Sequence, residues 1–138
     1  KYSADFLEHS LQDNPSDLYY GNKSALAKKL KKSRKIRNKV KKFKKSNYLA
    51  KKYSISFKHG DMFGAFHNVD LYIDRFKKGK INCVLKDYYD FSYEKYNSFI
   101  NIANNYEWVC QAFKISNGYH ITVEMKFKDR KNKNKDLI

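Results

Sequence analysis

Tyr53-Ser54-Ile55-Ser56-Phe57-Lys58-His59 and, after residues 60 to 66, His67-Asn68-Val69-Asp70-Leu71-Tyr72-Ile73-Asp74 alternate apolar and polar side chains with a period of two. That period puts one set of side chains on each face of an extended chain, which is the pattern of half-buried strands. Gly60-Asp61-Met62-Phe63-Gly64 between them reads as the connection of a hairpin. Lys77-Lys78-Gly79-Lys80 supplies a tight turn, and Ile81 to Phe91 continues as a third strand through Cys83, Leu85 and Asp87. Beyond Asn117-Gly118, Tyr119, Ile121, Val123, Met125 and Phe127 alternate with His120, Thr122, Glu124 and Lys126 as a last strand.

The rest of the chain follows helical spacing. Tyr2 to Leu11 forms a short helix that buries Phe6 and Leu7, and Asn14-Pro15-Ser16-Asp17 stops it. Ser24 caps a helix from about Ala25 to Lys45, with Leu26, Leu30, Ile36, Val40 and Phe43 as a narrow apolar stripe. Ser92 caps another whose Tyr96, Phe99, Ala103, Tyr106, Cys110 and Phe113 recur at helical spacing. The expected fold is α+β: a mostly antiparallel sheet of about four strands, a packed core helix and a long basic helix. Its 138 residues and 41% hydrophobic content suit one domain, with residues 129–138 as a flexible polar tail. A mean hydropathy of −0.86 resembles that of a disordered chain, but 17% aromatic residues argue for a core.

Charge is distributed very unevenly. Between Lys23 and Lys52 stand fifteen of the thirty Lys and Arg residues and no Asp or Glu, so of a net +16 this stretch holds +15. Such a run costs stability through self-repulsion unless an anion relieves it. The expected partner is RNA, tRNA among the candidates, gripped at its phosphates by Lys28, Lys31, Lys32, Arg34, Lys35, Arg37, Lys41, Lys42 and Lys45. No apolar run is long enough to cross a bilayer and the N-terminus has no signal-peptide pattern, so no stable membrane insertion is expected. Opening at Lys1 rather than Met suggests a fragment, a processed domain or a trimmed one. Cys83 and Cys110 read as two reduced thiols.

No Walker loop, dinucleotide-binding glycine pattern, Cys-x-x-Cys or His-Glu-x-x-His occurs, and the carboxylates are scattered, so neither a metal nor a cofactor is expected. The histidines are more informative. With residues 60–66 as a hairpin loop, His59 and His67 oppose one another with Cβ atoms about 5 Å apart, and the meander brings Asp87-Tyr88-Tyr89-Asp90 alongside. Such a pair suits metal-independent RNA cleavage: one imidazole takes the 2′-hydroxyl proton, the other protonates the departing 5′-oxygen, Asp90 orients a ring, and Lys58 or Lys86 stabilises the phosphorane. The competing reading makes both histidines hydrogen-bonded residues of the sheet edge. His9 and His120 read as solvated. In the doublets Tyr19-Tyr20 and Tyr88-Tyr89 one ring of each must face outward; the first reading is half-buried packing, the other a ring that stacks on an unpaired base.

Asp5-Phe6-Leu7-Glu8-His9-Ser10-Leu11-Gln12-Asp13-Asn14-Pro15, Asp87-Tyr88-Tyr89-Asp90-Phe91 and Tyr119-His120-Ile121-Thr122-Val123-Glu124-Met125-Lys126-Phe127 together resemble C-terminal toxin domains of bacterial polymorphic toxins, the Rhs-type and contact-dependent growth inhibition effectors. The resemblance implies secretion as part of a larger carrier, action in the target-cell cytoplasm and neutralisation by a cognate, acidic immunity protein. Carriers of this type deliver nucleases, NAD-consuming enzymes, deaminases and membrane-active domains alike. The leading expectation is an antibacterial ribonuclease; the alternatives are a nucleic-acid-binding module without catalysis and a domain that acts on membrane surfaces through its basic amphipathic helix.

Overall fold

A computed structural model describes residues 1–58, 60–90 and 116–129. Its elements are α1 (Tyr2–Ser10), β1 (Leu18–Tyr20), α2 (Ala25–Lys31), α3 (Arg34–Lys45), β2 (Ala50–Ser56), α4 (Gly60–Ala65), β3 (Asn68–Asp74), β4 (Lys80–Tyr89) and β5 (Tyr119–Lys128). The fold is α+β with one mostly antiparallel sheet in the order β1-β5-β4-β3-β2. The expected helix through Tyr96 and Phe113 and the tail beyond Asp129 lie outside the described residues.

The period-two segments become β2 to β5. β3 pairs with β4 so that Leu71 faces Leu85, Tyr72 faces Val84 and Ile73 faces Cys83. Val69, Leu71, Ile73, Ile81, Cys83 and Leu85 are buried, and the residues between them are not. At the turn into β4, Lys80 N donates to Lys77 O at 3.1 Å and Gly79 takes φ +71°, a conformation that costs a residue without Cβ nothing. Asp129, expected in the tail, is buried instead, and its N–H donates to Gly79 O at 3.0 Å.

Three further features depart from the expectations. The short strand β1 is too brief for its period to be visible. The basic helix is two helices: Lys32 ends α2, and Ser33 turns to an extended ψ of 129° before α3. Serine prefers helix ends to interiors, and like charges four residues apart weaken a continuous helix there. Residues 60–65 form α4 rather than an open hairpin loop.

The described residues divide into two compact units interleaved along the chain. The first comprises 1–18, 56–58, 60–68, 87–90 and 116–121. Its core is aromatic: Phe6 meets the rings of Phe66 at 5.5 Å and Tyr89 at 6.1 Å, Tyr89 stacks on Tyr119 at 5.2 Å, and the Tyr119 hydroxyl donates to Phe6 O at 2.7 Å. Asp61 of α4 accepts from Tyr2 N (2.9 Å), Ser3 N (2.8 Å) and Ser3 Oγ (2.8 Å), which satisfies donors at the start of α1.

The second comprises 19–55, 69–86 and 122–129. Leu26, Leu30, Ile36, Val40 and Phe43 of α2 and α3 are buried, as are Tyr53, Ile55, Val123 and Met125 of the strands. Ser24 caps α2 as expected, accepting from Ala27 N at 3.1 Å. Arg75, only 6% exposed, donates from Nη2 to Phe43 O and lies over the Phe43 ring at 4.4 Å, which ties the last turn of α3 to the end of β3.

Candidate nucleic-acid interface

With Ile36, Val40 and Phe43 turned inward, helix periodicity leaves the opposite arc of α3 to cations. Arg34, Arg37, Lys41 and Lys44 follow one another at spacings of three and four on that arc, with Asn38 beside them, over about 15 Å of helix axis. Together with Lys32, Val40 and Phe127 they line an open cleft of about 790 Å³. Lys31 adds an ammonium 5.3 Å from the Phe127 ring. The first turn of α3 holds no acid, so Arg34 and Lys35 add their charge to the positive end of the helix dipole. The cleft contains no carboxylate to compensate. It can hold a row of phosphates through charge-assisted hydrogen bonds, with Phe127 as an apolar wall.

Of the residues expected to bind phosphate, Lys32, Arg34, Arg37 and Lys41 line this cleft. Lys28, Lys35, Lys42 and Lys45 belong to α2 or α3 but do not line it. Lys44 does, and its spacing of three from Lys41 was the available signal. The apolar stripe that a membrane surface would require is consumed by the core, and among the described residues no helix is long and apolar enough to cross a membrane.

His59, and with it the expected histidine pair, lies outside the described residues. On the described side, Phe57 N–H donates to His67 O at 2.7 Å and Ser56 Oγ donates to Asn68 Oδ1 at 2.6 Å, with α4 taking up the connection as a helical turn. His67 itself has φ +54°, so the strand alternation starts only at Asn68 and does not carry His67 onto the Val69 face. Its side chain is half-buried. Lys58 is exposed beyond β2, and Asp90 is exposed just past β4. The Asp90 charge bears on Tyr89, whose hydroxyl is pushed up first by burial and then by Asp90 and Asp87. Lys58, His67 and Asp90 belong to the first unit; Lys86 and the cationic cleft belong to the second. Lys86 stands opposite Asp70 with its ammonium 5.6 Å from the Tyr72 ring.

Among the described residues, Cys83 is a buried thiol. Burial, and then the nearby charge of Asp74, push the Cys83 thiol up to about 12. Among the described residues no group of three or more His, Cys, Asp or Glu is gathered as metal ligands. In each tyrosine doublet one ring faces out: Tyr19 is exposed beside half-buried Tyr20, and Tyr88 beside buried Tyr89.

The fold and the cleft define an α+β domain with an uncompensated cationic helix face. No protein-family model, curated protein or solved structure matches the chain.

Proposed function

We propose that this protein binds RNA by its phosphate backbone, with Lys32, Arg34, Arg37, Lys41 and Lys44 as the gripping residues. The observation that carries the reading is the cleft beside α3, where five cations converge without a carboxylate. A polyanion is the ligand class that turns this self-repulsion into binding energy. Fluorescence anisotropy against a labelled RNA at several salt concentrations tests it. Affinity falls linearly on logarithmic axes, and Lys41→Glu with Lys44→Glu weakens binding and flattens the slope by about one for each phosphate contact removed. Salt-independent affinity, or a charge-reversed protein that binds as well as the parent, would sink the reading.

Metal-independent ribonuclease chemistry remains as a second reading, and one observation favours it. A histidine held at φ +54° is a backbone outlier of the kind concentrated at functional sites. The test is incubation of the pure protein with total RNA in EDTA beside a His67→Asn variant, since asparagine tolerates the left-handed backbone and lacks the imidazole. Cleavage by the parent alone supports the reading; equal cleavage by both, or by neither, removes it. In the setting that the sequence resemblance implies, the domain is a toxin of competing bacteria, and an acidic immunity protein would cover the cleft. Arrested growth on induction inside a bacterium, rescued by such a partner, is the corresponding expectation.

A further inference from the structure

The second unit offers, besides the cleft, a surface of exposed rings. The β3–β4 register sets Tyr72 opposite Val84, Asp70 opposite Lys86 and Asp74 opposite Asn82, on the face turned away from buried Leu71, Ile73, Cys83 and Leu85. Tyr72 is 41% exposed, Phe76 53% and Tyr48 51%. Three large rings left in water are not explained by the core. Tyr72 and Phe76 share a shallow cleft of about 340 Å³ with Lys51 and Lys52. Two of the rings already carry a cation: Lys86 Nζ lies 5.6 Å from the Tyr72 centroid and Lys51 Nζ 4.9 Å from that of Tyr48.

The chemistry selects the occupant. Asp70 and Asp74 flank Tyr72 among Lys51, Lys52 and Lys86, so acceptors and cations alternate around the ring instead of forming an unbroken cationic row. Carboxylates do accept from hydroxyls and amines. An unpaired ribonucleotide offers a base to a ring, a phosphate to the neighbouring lysines and a 2′-hydroxyl to an acceptor. A duplex keeps its base faces stacked inside and offers none. Arg75 fastens the last turn of α3, at Phe43, to the end of β3, one residue before Phe76, so the C-terminal end of α3 and this ring are tied to the same segment.

We propose that Tyr72 and Phe76, extended by Tyr48, form a base-stacking platform that makes single-stranded RNA the ligand of this protein. The platform rests on the RNA-binding reading of the cleft and narrows it from polyanion to unpaired strand. The experiment measures anisotropy at one salt concentration with a short unstructured RNA, its DNA counterpart and an RNA duplex of equal length. The proteins are the parent, Tyr72→Thr/Phe76→Ser, Tyr72→Phe, and Lys41→Glu/Lys44→Glu, each checked for folding by its thermal midpoint. The parent is expected to bind single-stranded RNA more tightly than the DNA or the duplex. Tyr72→Thr/Phe76→Ser loses about tenfold or more on that strand, at about 1.4 kcal/mol per decade, and nothing on the duplex. Tyr72→Phe keeps parental affinity, because stacking needs the ring and not the hydroxyl. Should the double variant fail to fold, Phe76→Ser alone, outside any strand, carries the test with a loss of about fivefold.

Equal affinity for strand and duplex, an unchanged stacking variant, or equal losses on both ligands overturns the platform while leaving the cleft intact. DNA bound as tightly as RNA overturns the choice of ribose. Lys41→Glu/Lys44→Glu is expected to weaken every polyanion, heparin included. If it is neutral, the cleft fails, and the platform with it.

Discussion

At the level of single residues, Asp61 shows how a carboxylate can stabilise a helix from a distance in sequence. Burial alone would push its carboxyl up, but the N–H groups of Ser3 and Tyr2 and the Ser3 hydroxyl all donate to it and hold it well below the usual carboxylate range. A depressed value means that the ionised form contributes stability at pH 7. That contribution is fully present above about 4, where an unfolded aspartate loses its proton, and is lost as pH falls from there towards the folded value. Asp61→Ala is expected to cost about 1 kcal/mol at pH 7, in the manner of a lost helix cap, with the gap from the parent closing below about pH 4. Urea unfolding of both proteins at pH 7 and pH 3 reads this; a gap unchanged with pH refutes the carboxylate's role. None of it was legible in the sequence, because the donors and the acceptor stand 58 and 59 residues apart. The same holds for Arg75, whose burial against Phe43 no local pattern announces. It holds also for the connection at residues 60–65, which coils into α4 where the alternation on either side read as a hairpin loop, and there Phe57 N–H donates to His67 O.

Elements were far more legible than contacts, for a physical reason. Strands β2 to β5 bury one face each, so the hydrophobic effect writes a period of two into the sequence. Helix α3 buries three residues at spacings of four and three and is equally plain. What periodicity does not carry is continuity: Leu30 and Ile36 both face the core although Ser33 breaks the helix between them. The break gives α3 its own N-terminus, where Arg34 opposes the helix dipole. Arg34→Glu reverses that sign and adds an attraction to Arg37 three residues on. It is expected to stabilise the fold by about 0.5 kcal/mol and raise the melting midpoint by about 1–3 °C. The same change places a carboxylate in the cationic cleft and should weaken RNA binding. Thermal melts and anisotropy on one variant therefore move in opposite directions, the signature of stability given up for binding. A variant that loses both stability and affinity contradicts the assignment of Arg34 to the ligand rather than to the fold.

For the molecule as a whole, the decisive quantity is a net charge of +16 on 138 residues, almost all of it between Lys23 and Lys52. Cations crowded on two short helices repel one another in the folded state more than in an expanded chain, so the fold is under electrostatic load. Two kinds of relief can be separated. Simple salt screens all exposed charges over about 10 Å at 0.1 M, and raises the melting midpoint by weakening repulsion without choosing among ligands. A polyanion that fills the α3 cleft binds the folded form and adds stability by mass action, about 2.7 kcal/mol when its concentration is a hundred times its dissociation constant. Heparin at low salt should therefore raise the midpoint well beyond what an equal concentration of chloride does. The extra gain should fade as salt is added, because the same ions compete for the cleft. In Lys41→Glu/Lys44→Glu the chloride-dependent rise remains while most of the heparin-dependent rise disappears. Differential scanning fluorimetry across a grid of salt and heparin distinguishes the two effects. If heparin stabilises the charge-reversed protein as much as the parent, the positive charge acts as a diffuse field and the α3 cleft is not where the polyanion sits.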